Sequence, residues 1–425
     1  MEKSLLSLAV AASTAGLASL ASAQMQINNE HTGEALVFPL YSTQGGNDTY
    51  IHIVNTTSQY KAVKVRMLEG EESLEALYFN LYLSPRDHFS FAITADGDGA
   101  LLRTGDNSCT VPAITGDVSF SYLVSADESR EQMGHIEVIE MGQIDADSAT
   151  AEDMEQVDGV PGDCAQLVTN WGDGGAWAGE AGAAGVGTTH FNASWNGGGL
   201  YGVATVINVP KGTAFGYDAV AIKELVAAGS SGSVLHYAPS NEGPDFGDAA
   251  VGADDVSELF MVGSIRNDFV VDPDINGLTD WVVTMPTKSQ YSNGSTLDAP
   301  FSSDSCQEVS LTGYDREGGT QDAAVLELCA GTNVIHFGSA SATNTESNLV
   351  NAMSAVDGWS AGWAKLDLTA DNERVLGDLG GLPVTGFAVV EYQNGALGSG
   401  TLANYQMAWE HKTSIASSSG TSSAD

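Results

Sequence analysis

Between residues 33 and 143, short apolar stretches alternate with turn residues in the rhythm of antiparallel β structure. Segments 35–42, 49–57, 62–69, 76–83 and 87–93 are strand-length and rich in Val, Ile, Tyr and Phe. Turn chemistry separates them, at Gln44-Gly45-Gly46-Asn47-Asp48, Glu69-Gly70-Glu71 and Ser84-Pro85-Arg86-Asp87. Period-two alternation is clearest in Tyr50-Ile51-His52-Ile53-Val54 and Ala62-Val63-Lys64-Val65-Arg66. It predicts Ile51, Ile53, Val63 and Val65 pointing inward, with His52, Lys64 and Arg66 facing out. Segments 117–125 and 134–142 bring the count to seven short strands, which matches an immunoglobulin-like sandwich.

The pattern breaks at residues 144–163, an acidic run short of large apolar groups that closes on Val160-Pro161-Gly162 and predicts an exposed connection. A Gly/Ala/Trp-rich stretch, 170–199, leads into a second half that again reads as strands: 200–209, 213–219, 267–272, 280–286, 308–314, 333–337, 363–368 and 384–392. Helical periodicity surfaces only briefly, over 217–228 and 256–265. The fold expected is therefore mainly β, two immunoglobulin-like β-sandwich domains with few short helices. The corresponding division is 24–143 for the first sandwich, 144–198 for the connection, 199–412 for the second β-rich domain and 413–425 for a disordered Ser-rich tail.

The first 23 residues have a different character. Lys3 precedes an apolar run from Leu5 to Leu20 that ends in Ala21-Ser22-Ala23. This is the plan of a cleavable signal peptide, so the mature chain is expected to start at Gln24, in the periplasm, at the cell surface or outside the cell. No later stretch reaches the roughly 18 continuous apolar residues of a membrane helix. Four cysteines, Cys109, Cys164, Cys306 and Cys329, suit disulfides in an exported chain. Three connectivities are open; the nearest-neighbour one keeps each bridge within one half. Each unstrained bridge contributes roughly 3–4 kcal/mol on the chain-entropy model.

Charge narrows the partners. The chain has 55 Asp plus Glu against 15 Lys plus Arg, a formal net of −40. Nucleic acid is excluded, since phosphate binding needs a basic footprint. Such repulsion is tolerated where salt or divalent cations are abundant.

Several segments together resemble a group of exported proteobacterial proteins described as hypothetical or cell-surface proteins. They include Gly33-Glu34-Ala35-Leu36-Val37-Phe38-Pro39-Leu40-Tyr41, Lys61-Ala62-Val63-Lys64-Val65-Arg66-Met67-Leu68-Glu69-Gly70 and Phe79-Asn80-Leu81-Tyr82-Leu83-Ser84-Pro85-Arg86-Asp87. Thr279-Asp280-Trp281-Val282-Val283-Thr284-Met285-Pro286-Thr287-Lys288 and Leu311-Thr312-Gly313-Tyr314-Asp315-Arg316-Glu317 extend the likeness over most of the mature chain. The resemblance implies a Gram-negative envelope or extracellular location and carries no catalytic residues.

Candidate chemistry is sparse. Gly358-Trp359-Ser360-Ala361-Gly362 matches GxSxG, but the segment after it reads as a strand, where a nucleophile elbow needs a helix. The eight histidines show no paired metal spacing. Asp272-Pro273-Asp274-Ile275-Asn276-Gly277-Leu278-Thr279-Asp280 is sharper. Asp272, Asp274, Asn276 and Asp280 occupy ligand positions of a calcium loop, although Val283 stands where the bidentate Glu belongs. The competing reading is a plain hairpin turning at Asn276-Gly277. Asp96-Gly97-Asp98-Gly99 reads as a tight turn. Trp171, Trp177 and Trp195 could stack on sugar rings if exposed, or pack in a core. The function expected is that of a non-enzymatic exported cell-surface or matrix protein acting in structure, assembly or adhesion. It would associate with itself or with other surface proteins, with calcium as the only candidate ion. A secreted polysaccharide-binding module is the alternative, and a secreted hydrolase a more distant one.

Overall fold

The computed structural model describes residues 25–120, 128–178, 188–192, 197–225, 234–247, 252–294, 296–321, 323–338, 341–343, 345, 348–352, 356–369, 374–398 and 401–417. The leader 1–23 and Trp195 lie outside them. The chain is mainly β, with several sheets.

A seven-stranded sheet has Ala35–Ser42, Met133–Ile144, Tyr60–Glu69 and Glu75–Leu83 side by side at its centre. A six-stranded sheet is built around Asn47–Asn55 and His88–Asp96. The two share one core. Phe38, Val63, Val65, Phe79, Ile136 and Val138 come from the first sheet, and Ile51, Ile53, Phe89, Ile93 and Leu102 from the second. The alternation of Ile51/Ile53 and Val63/Val65 thus sets the inner faces. Asp96-Gly97-Asp98-Gly99 is the turn between His88–Asp96 and Gly99–Arg103, with Gly97 at φ +60°, a backbone region glycine enters without strain.

The strand Leu200–Asn208, expected to open the second domain, pairs along its whole length with Asn47–Asn55 in the first. Thr213–Asp218 adds beyond it, and Val220–Lys223 pairs with Ala35–Ser42 in the opposite sheet. A boundary at 199 therefore cuts through the first pair of sheets. The physical reason is burial: Leu200, Ala204, Ala219 and Ala221 complete the core that the earlier strands leave open. Gly202 lets this strand lie against the other sheet, because a Cβ there would stand 2.3 Å from the Phe38 ring. The acidic connection is also more ordered than its composition implies. Ser148 caps the helix Ala149–Met154, Asp163 caps the helix Cys164–Asn170, and Ala151, Met154 and Leu167 pack with Trp177. The disulfide Cys109–Cys164 anchors this layer.

The second half is built from two five-stranded sheets. One centres on Gln307–Asp315, Ala361–Asp367 and Ser264–Val270, the other on Thr332–Phe337, Gly277–Thr284 and Thr385–Gly398. Phe269, Leu311 and Leu366 meet Trp281, Ile335, Phe337 and Ala388 between them. Cys306–Cys329 is the second disulfide. The helical pattern over 256–265 corresponds to the helix Gly252–Phe260, whereas the pattern over 217–228 falls partly on a strand. Lys412–Ser414 pairs with Ser264–Val270, and Ala416–Ser417 pairs with Leu379–Gly380, so this part of the expected tail is sheet. Backbone pairing needs no apolar side chains, which is why composition missed it. No helix among the described residues is long and apolar enough to cross a membrane.

The halves meet over an apolar seam of Leu40, Val206 and Phe215 against Val282, Val334, Phe387 and Val389. Phe387 lies against Tyr217 with ring centroids 4.5 Å apart. Cross-seam hydrogen bonds reinforce it: Thr284 Oγ1 donates to Pro39 O at 2.6 Å, and Thr332 N to Gly70 O at 2.8 Å.

Candidate functional site

The four candidate calcium ligands do not form one group. Asp272 closes an Asx turn, its Oδ1 accepting Asp274 N at 2.9 Å. Asn276 turns the hairpin at φ +45° and donates from Nδ2 to Gln393 O at 2.8 Å. Asp280, eight residues beyond Asp272, sits inside the strand Gly277–Thr284 and is fully buried toward the seam. Strand alternation puts Trp281 in the second core and turns its neighbour Asp280 the other way. Among the described residues, no group of three or more His, Cys, Asp or Glu is arranged to hold a metal ion.

Asp280 is instead the hub of a polar centre. Its Oδ1 accepts His336 Nδ1 at 2.7 Å. Its Oδ2 accepts Ser341 Oγ, Thr343 N and Thr343 Oγ1, each at 2.7 Å. Thr343 O in turn accepts Asn47 Nδ2, from the first half, at 2.6 Å. Ser, His and Asp come together here, but not in catalytic order. Nucleophilic catalysis needs the hydroxyl on the imidazole nitrogen remote from the carboxylate. Ser341 donates to the carboxylate itself, so the imidazole does not activate it. Ser360 of the GxSxG match is bonded by Arg316 at 2.9 Å and runs straight into the strand Ala361–Asp367.

The outward charges of Tyr60–Glu69 are buried rather than solvated. Residues 234–247 cover that face of the seven-stranded sheet. Lys64 Nζ donates to Asn80 Oδ1 at 3.0 Å and to Asn241 O at 2.6 Å, over the Tyr78 ring. Desolvation, assisted by the nearby Arg66 charge, lowers the Lys64 pKa to about 7. Arg66 is bonded by the carboxylates of Glu137 and Glu75. Trp177 is fully buried against Tyr82, Trp171 and His236, so this aromatic group is packing. The exposed tryptophans among the described residues are Trp363 and Trp409.

Trp409 lies on the rim of a cleft of about 440 Å³ between the halves. Exposed Asn29, His31 and Asp218 face it from the first half and Glu410 from the second, while Phe260 and Val384 line its apolar wall. His411, deeper in, is committed: Nε2 donates to Val282 O at 3.0 Å, and Nδ1 accepts from Asn267 Nδ2 at 3.3 Å. Burial lowers its pKa to about 4 and holds it neutral. The cleft was invisible in the sequence because it exists only where residues near 30, 218 and 410 converge.

No family model, curated protein or solved structure matches the chain.

Proposed function

We propose that the protein is a non-enzymatic exported cell-surface or matrix protein, an immunoglobulin-like double sandwich that acts by adhesion and holds a carbohydrate polymer in the seam cleft. The observation that carries this reading is Trp409, 43% exposed, beside a rim of carboxylate, amide and imidazole groups. An indole face stacks on the C–H face of a pyranose, and such polar groups bond its hydroxyls. A volume of about 440 Å³ suits one or two sugar rings. The formal charge of −40 selects a neutral or cationic polymer, since an anionic one would be repelled. The two disulfides favour an oxidising compartment and therefore support export.

The test is co-sedimentation of the full chain with insoluble neutral and amino polysaccharides, alongside Trp409→Ala. Retention on at least one polymer, lost in the variant with the melting temperature unchanged, supports the reading. No retention, or equal retention by the variant, overturns it.

A further inference from the structure

The register of the six-stranded sheet creates a pair that linear spacing concealed. His52 stands opposite Ser90, and Val54 opposite His88, so His52 and His88 are diagonal neighbours on adjacent strands. Ile51 and Ile53 point into the core, which places both imidazoles on the open outer face, His52 half-buried and His88 exposed. His52 Nδ1 and His88 Nε2 are 3.1 Å apart. The ring centroids are 5.2 Å apart and the ring planes 23° from parallel, so the two nitrogens meet nearly tip to tip.

We propose that His52 and His88 form a two-imidazole chelate for a divalent transition cation, copper(II) first, with water completing the coordination. With metal–nitrogen bonds of about 2.0–2.1 Å, nitrogens 3.1 Å apart subtend an angle of about 100° at the ion. That lies between the cis angle of a tetragonal site and the tetrahedral angle, and it is reached when both rings tilt to the same side of the N···N line. Two nitrogen donors suit copper(II) and nickel(II), and copper binds most strongly in the divalent series. Both histidines project from paired strands, and Ser90, across from His52, is fixed by Asp106 Oδ2 at 3.1 Å to its amide. The chain's negative charge raises the local concentration of cations. The competing account is a bare N–H···N hydrogen bond, which holds no ion.

Copper(II) titration of the full chain at neutral pH, followed by calorimetry and by pulsed electron paramagnetic resonance, separates the two. One equivalent is expected with the modulation of two equatorial imidazoles. His52→Ala and His88→Ala should each weaken that site by about 10- to 100-fold or more, since disturbing even an outer-shell group costs that much, and should leave at most one of these imidazoles on the ion. Both substitutions are on an open sheet face, so unchanged melting temperatures confirm folding. Binding with the same affinity and the same spectrum in both variants, or no copper binding by the parent, overturns the proposal.

Discussion

Replacing Asp280 with Ala should unlock the second half and loosen the seam. The carboxylate, itself fully buried, accepts four hydrogen bonds. Removing it leaves the donors of His336, Ser341 and Thr343 facing a hole. An abandoned buried donor costs about 1–3 kcal/mol. The four are not additive, because Ser341 and His336 are only partly buried and can turn toward water. Thr343 cannot, since its amide and hydroxyl are enclosed and its carbonyl is bonded by Asn47 across the seam. A net loss of about 3–5 kcal/mol follows, in line with breaking other buried charged networks. For a cooperative unit of this size it lowers Tm by about 6–20 °C.

Differential scanning calorimetry with the Ala and Asn variants reads this directly. Asp280→Asn keeps one acceptor and presents an NH₂ to donors, so it should fall between parent and Ala. A cycle with His336→Ala isolates the pair, which should show coupling above about 0.5 kcal/mol. A loss below about 1 kcal/mol in Asp280→Ala, or an Asn variant as stable as the parent, would refute the reasoning.

Two buried histidines should each cost the fold stability below about pH 6.5, against the opposite contribution of buried carboxyls such as Glu137, whose pKa burial raises to about 7. Burial lowers the pKa of His135 to about 3 and of His411 to about 4, so the unfolded chain takes up their protons near 6.5 while the folded chain refuses them. Their contribution therefore falls as pH drops through that window, and the Tm of His411→Asn relative to the parent should rise as pH falls from about 7 to 5. Lys64 works at the other end. Its folded pKa of about 7 lies below the unfolded value, so its contribution to stability rises with pH from about 7 to 10; Lys64→Met should flatten the thermal-melt profile between pH 7 and 8 and leave the later rise that Lys288, with a folded pKa of about 8, contributes. Salt should raise Tm by screening the carboxylates, with calcium and magnesium equal at matched ionic strength. Asp274→Ala should leave both curves unchanged, and calcium-specific stabilisation lost in that variant would restore the loop as a metal site.

Much of the strand content was legible because alternation is a local signal. Ile51/Ile53 and Val63/Val65 declare their face within five residues. What was not legible is long-range. Nothing near Leu200 says that it pairs with Asn55, and nothing in Lys412-Thr413-Ser414 says that its backbone will complete a sheet edge. The candidate calcium loop failed at Asp280 for the same reason. A ligand pattern counts positions along the chain, whereas strand parity decides which way each position points. The parity that buries Trp281 also removes its neighbour Asp280 from the loop. Conversely, the histidines show no linear spacing, yet one diagonal step across two strands brings His52 Nδ1 and His88 Nε2 together.

The same parity changes the meaning of the charge balance. Cations are scarce, and Lys61, Lys64, Arg66, Lys288 and Arg374 are all buried. Lys61 is matched with Glu140, and Arg66 with Glu137 and Glu75. Lys61 takes one carboxylate and Arg66 two into the interior with them, and Lys64 and Lys288 donate to backbone carbonyls instead. The exposed surface is therefore more one-sidedly acidic than the ratio of 55 to 15 implies. An acidic coat of that kind repels copies of itself and anionic polymers while drawing in cations and leaving neutral sugars unopposed. The contacts open to such a surface are those its uncharged and imidazole groups can make, which is where Trp409 and the His52–His88 pair stand.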